Sequence, residues 1–320
     1  MGYGAWAASH YDDRSKVRAL SGDPVFKYTA DVISGKVDKV VNDLMNPKGV
    51  TRESRDSATH PESRAVAVLF DVTGSMASVP GILQANLPKL MSLILSKGYL
   101  TDPQVLIGAI GDATCDAAPL QVGQFESDIK IDQDLEKLYL EGGGGGHNTE
   151  SYELAMYFMA KHTVTDCFEK RKQKGYLFFI GDENPYSQVS KDQIKSVIGD
   201  SVQHNISLED MMTELKEKWD VYYILPKMTN HWDDSSIKKK WTSLVGQNFL
   251  KLEEPNAVCE LIAAAIGIVE GYLEADSVAG VLVDAGTKAN AAEAVGRALV
   301  AVGANAIAER EDSGTGLVKL

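Results

Sequence analysis

The stretch VAVLFDVTGSM, Val66 to Met76, decides the fold. Its first five residues are apolar without alternation, the pattern of a strand covered on both faces, as in a parallel sheet. The run stops at Asp71 and continues with hydroxyls at Thr73 and Ser75, before a helical period starts near residue 79. In a tight loop beyond a strand's carboxyl end, a carboxylate and two hydroxyls on alternate residues can turn toward one point. Hard oxygen donors of that kind suit Mg2+, and also Mn2+ or Ca2+, better than zinc.

Outward from this strand (65–70), the chain repeats the same grammar. Strand-like runs fall at 104–111, 120–125, 176–181, 221–226 and 248–252, and helix-period segments at 79–97, 128–140, 150–163, 189–199, 207–219, 234–245 and 256–273. Strands alternating with helices predict a doubly wound, mostly parallel α/β sheet flanked by helices. Right-handed crossovers then bring the strand-to-helix loops to one edge, where such sheets bind ligands. Asp71, Asp112 and Asp182 each end a predicted strand and point to that edge.

Around this domain, expected over 64–273, lie two segments of different character. Residues 1–63 form an arm rich in polar residues, with a single helix expected over 29–45. Residues 274–320 form an Ala/Gly-rich tail of one or two small-residue helices. Aromatics in the arm and its lack of core periodicity predict contact with another subunit or partner, so arm and tail are candidate contacts in a homo-oligomer or larger assembly. The net charge of −13 disfavours nucleic acid, whose phosphates would be repelled. Lys238–Lys240 reads as a solvated helix face. Three widely spaced cysteines give neither a disulfide framework nor a zinc pattern. With no apolar leader in the first twenty residues and no run of spanning length, the expectation is a cytoplasmic protein with no membrane partner.

Two more loops offer ligands to the edge. EGGGGGHNTES has five consecutive glycines, Gly142–Gly146, before a helix, and FFIGDENPY sets Asp182 at a strand end. With DVTGS, these residues resemble the von Willebrand factor type A domain and its metal-ion-dependent adhesion site, over about residues 64–273. The arm and tail resemble bacterial or phage versions of that domain. In the family, a D-x-S-x-S loop, a threonine from a second loop and an aspartate from a third surround a divalent cation. The resemblance therefore implies Asp71, Thr73 (in place of the first serine), Ser75, Thr149 and Asp182 as metal ligands. The second loop departs from the pattern, because His147 and Asn148 intervene between the glycines and Thr149, and Glu141, His147 and Glu150 compete for its ligand position. Asp112 and Asp116 read as solvated loop carboxylates or as support for the ligands, and Cys115 as a half-buried structural thiol.

The resemblance implies a metal-dependent protein-interaction module without catalytic activity, in which a partner's acidic side chain completes the cation's coordination. Two other classes compete. A purely structural assembly subunit would use the fold as scaffold and ignore chelation. A phosphotransferase of the haloacid dehalogenase type would use Asp71 as nucleophile, but it needs a carboxylate general acid two residues on. Thr73 stands there, and its alcohol-like hydroxyl serves that role poorly.

Overall fold

The computed structural model describes residues 4–76, 78–143, 148–229 and 231–312, the side chains of Ser75 and of 305–312 excepted. Six strands form the main sheet: β1 (Ser63–Asp71), β2 (Asp102–Ile110), β3 (Leu120–Val122), β4 (Gly175–Ile180), β5 (Trp219–Pro226) and β6 (Phe249–Leu252). All six runs expected from the sequence are strands, within a few residues at each end. They lie side by side in the order β3-β2-β1-β4-β5-β6. Every neighbouring pair is parallel except β2 with β3, which is antiparallel.

The α-helices of six or more residues are α1 (Ala8–Ser21), α2 (Lys27–Ile33), α3 (Val79–Ser96), α4 (Lys130–Glu136), α5 (Tyr152–Lys161), α6 (Asp166–Arg171), α7 (Leu208–Lys218), α8 (Ser235–Val245), α9 (Val258–Val269), α10 (Val278–Asp284) and α11 (Ala289–Asp312), and the helix expected over 189–199 is a short turn, Lys191–Gln193, that runs into a π-helix, Ile194–Ile198. They cover both faces of the sheet. Along β1, Val66, Val68 and Phe70 pack with α3, α9 and α11 in one core, while Ala65, Ala67 and Leu69 pack with α5, α7 and α8 in the other. Full burial on both sides explains why the strand shows no polar alternation.

The strand order fixes where a ligand can sit. From β1 the chain moves outward to β2 and β3; it then returns to β4 at β1's other side and moves outward again through β5 and β6. The connections above β1 and β4 therefore leave in opposite directions and open a crevice at their carboxyl ends. Asp71 closes β1, and Asp182 follows β4 by two residues.

The described parts of arm and tail pack on their own chain. The helix expected over 29–45 is confined to α2, because Gly35 takes the left-handed conformation (φ 74°) and its N–H closes the turn on Val32. Val40 and Leu44, which carried the helical period beyond it, are exposed. The arm instead gains α1, whose Arg14 and Arg18 reach Asp132 and Glu136 of α4. In the tail, Ala292, Val295, Leu299 and Val302 of α11 join the core beside α9. Gly303 permits close approach: a Cβ there would meet that of Ala275 at 2.3 Å.

Candidate metal centre

Asp71 is fully buried where β1 ends. Its Oδ1 accepts from the backbone N–H of Thr73 at 2.7 Å and from Thr73 Oγ1 at 2.5 Å, the local closure that an Asp-x-Thr loop provides. Its Oδ2 accepts from the Tyr152 hydroxyl at 3.1 Å. Gly181 makes room for that hydroxyl, because a Cβ at 181 would lie 1.7 Å from it. Burial first, and the Asp182 carboxylate with it, raise the Asp71 carboxyl to about 7 against the pull of its donors.

The second and third loops meet each other directly. Thr149 and Glu150 pair in parallel with Asn184 and Pro185, drawing the end of the glycine loop against the segment that follows Asp182. Gly74 N–H donates to Gly143 O at 2.9 Å and ties the first loop to the glycine loop. Behind the third loop, the carbonyl of Glu183 accepts from Tyr223 Oη at 3.1 Å and Trp241 Nε1 at 2.9 Å, so two buried aromatics hold its backbone.

Four buried carboxylates gather here: Asp71, Glu150, Asp182 and Glu183. Glu150 has no exposed surface, and neither of its carboxylate oxygens has a hydrogen-bond partner among the described residues. The Glu150 and Glu183 carboxyls are close enough to interact, yet Glu183 Oε2 also lacks a well-formed hydrogen bond. Both are pushed well above the usual carboxylate range, by burial first and by the Asp71 charge next. Among the described residues, no lysine or arginine pairs with Asp71, Glu150 or Glu183. Such a group either holds protons or surrounds a cation. The donors are hard oxygens of the kind a divalent ion takes, and Asp182 and Glu183 each bring a ligand atom within 4.8 Å of the other and of one from His231.

Among the residues expected as ligands, Asp71 and Thr73 stand together at the crevice. The Asp182 charge bears on Asp71. Thr149 is half-buried and adjoins the Asp182 loop through its pairing with Asn184. Ser75's side chain and all of His147 lie outside the described residues. Glu141 is engaged elsewhere, its Oε2 accepting from the N–H groups of Ala117 and Ala118. Asp112 differs from the solvated carboxylate expected. It is fully buried, caps its own turn through Thr114 N at 2.8 Å and Thr114 Oγ1 at 2.7 Å, and accepts from Tyr186 Oη. Cys115 differs too, being exposed.

Sequence reasoning missed Glu183 and His231. His231 lies in the loop after β5, with Nδ1 3.0 Å from the Asp182 carbonyl and 3.6 Å from Asp182 Oδ2. The signal was present, since the polar segment MTNHWDD follows a buried strand and must emerge at the same sheet edge.

No protein-family model matches the chain, and no curated protein matches it. Among solved structures, the chain is similar to the pilus adhesin SpaC from Lactobacillus rhamnosus GG in its open conformation. The TM-score is 0.46 at 11% identity, over 69% of this chain and 31% of that one. It is also similar to proximal thread matrix protein 1 from the mussel byssus, with a TM-score of 0.42 at 10% identity, over 63% of this chain and 47% of that one. The chain thus spans less than half the length of either.

Proposed function

We propose that this chain is a metal-ion-dependent protein-interaction module of the von Willebrand factor type A kind, with a divalent cation bound at the β1/β4 crevice. The observation that carries the reading is the convergence of buried carboxylates from three separate loops at the switch point of the sheet, with no lysine or arginine among the described residues to balance Asp71, Glu150 or Glu183. Asp71, Thr73, Ser75 and Asp182 remain the proposed ligands from the first and third loops. In the second loop Glu150 is the better donor than Thr149, because its two oxygens are buried and meet no hydrogen-bond donor of good geometry among the described residues.

An acidic second-loop ligand changes what the cation does. With three carboxylates around it, a divalent ion is already neutralised and pulls an outside carboxylate less strongly than it would beside a neutral threonine. The ion then acts mainly by locking the three loops together, and the partner reads the rim formed by Gly74 and Gly142–Gly143, which is exposed. No catalytic step is proposed. Capture of binding partners by the full chain, in Mg2+ or Mn2+ and again in EDTA, tests the reading. Capture that requires metal and fails in Asp71→Asn supports it, and capture indifferent to both favours a purely structural scaffold.

A further inference from the structure

Resting on that reading, we infer that the loop after β5 supplies His231 as a nitrogen ligand to the same site, with Glu183 beside it, so that the site takes a first-row transition ion in preference to Mg2+. One ligand atom from each of Asp182, Glu183 and His231 lies within 4.8 Å of the others. A metal-binding imidazole commonly donates one ring N–H to a backbone carbonyl and presents the other nitrogen as a lone pair. His231 has the first half of that arrangement: Nδ1 donates to the Asp182 carbonyl at 3.0 Å, so the lone pair of the neutral ring is on Nε2. Its loop is held on both sides. Lys251 Nζ sits 3.9 Å from the centre of the Trp232 ring, and Asp234 caps α8 through the N–H groups of Ser236 and Ile237.

Glu183 supplies the independent observation. The residue is 8% exposed, and its Oε2 has no hydrogen-bond partner among the described residues although it belongs to this cluster. A buried carboxylate oxygen without a donor is costly, and a bound cation removes the cost. Imidazole mixed with carboxylates suits ions from Mn2+ to Zn2+, whereas Mg2+ favours an all-oxygen octahedron that keeps several waters.

The test titrates Mn2+ into the metal-free full chain, follows bound ion by electron paramagnetic resonance, and competes it with Mg2+. Wild type, Asp71→Asn, Glu183→Gln, His231→Ala and His231→Gln are compared, with circular dichroism to verify folding. The glutamine at 231 keeps an N–H for the Asp182 carbonyl, so it separates a ligand from a loop staple. A directly coordinated nitrogen signal in wild type, absent in both His231 variants, is expected. So is a fall in Mn2+ affinity at least as large as that for losing a ligand's hydrogen-bond partner, about 10- to 100-fold, with Mg2+ affinity almost unchanged. Mn2+ binding that is lost in Asp71→Asn, yet shows no nitrogen signal and is unaltered in both His231 variants, overturns this inference alone. Absence of Mn2+ binding, or binding indifferent to Asp71→Asn, overturns the cation reading on which it rests.

Discussion

Glu150 carries two opposite consequences. Without metal, burial first and the Asp71 charge next hold its carboxyl well above the usual carboxylate range, so that at neutral pH folding must bind a proton there at a cost in stability. Glu150→Gln should therefore raise the melting temperature of the metal-free chain, by about 2 °C or more, because each kcal/mol relieved in a domain of this size is worth a few degrees. The same change should weaken Mn2+ binding far more than Thr149→Ala does. Calorimetry on the metal-free proteins, followed by titration, reads both effects. A variant that melts lower and binds normally would return the ligand role to Thr149. Nearby, Gly181→Ala should disturb the site without touching a ligand, because the added methyl meets the Tyr152 hydroxyl that donates to Asp71.

The elements that frame the site are held by ion pairs that helical or strand period does not reveal. Asp132 of α4 is fully buried beneath Arg14 and Arg18 of α1, and its Oδ1 also accepts from Gln84 Nε2 at 3.1 Å. Arg14→Met with Arg18→Met keeps the cover of α1 but leaves that carboxylate buried without its cations, a loss of about 3–5 kcal/mol. Adding Asp132→Asn to the double variant should recover part of it, which denaturant unfolding of the two proteins measures. At the opposite end of the sheet, Arg171, Ser63 and Lys170 outweigh the burial of Asp56 and hold its carboxyl far below the usual carboxylate range. A depressed folded pKa stabilises above the unfolded value and is lost as pH falls. Asp56→Asn should thus cost about 1.5–3 kcal/mol at pH 7. That cost should shrink steadily as the pH is lowered below about 4, where the unfolded carboxylate begins to protonate. A cost that stays constant down to pH 2 would contradict the assignment.

At the scale of the whole molecule, the sheet was legible because each strand is an unbroken apolar run that ends in a polar loop, and burial on both faces leaves no other reading for VAVLF or YLFFI. The antiparallel edge strand β3 and the helix α1 were less so. LQVGQF is short, and α1 is polar and depends on arginines whose partners lie more than a hundred residues away. The site was legible where one loop holds its own closure, as in Asp71 and Thr73. It was not legible where partners come from different loops. Nothing local marks Glu150 over Thr149, and only the pairing of 149–150 with 184–185 brings Glu150 against Glu183. No helix among the described residues is long and apolar enough to cross a membrane.

The most direct test is calorimetric titration of the metal-free full chain with Mn2+, on wild type, Asp71→Asn and Glu150→Gln. Saturable binding of an ion is expected in the wild type, abolished in Asp71→Asn and strongly weakened in Glu150→Gln, with all three proteins folded. Equal binding by the three proteins, or none by the wild type, would contradict the cation reading.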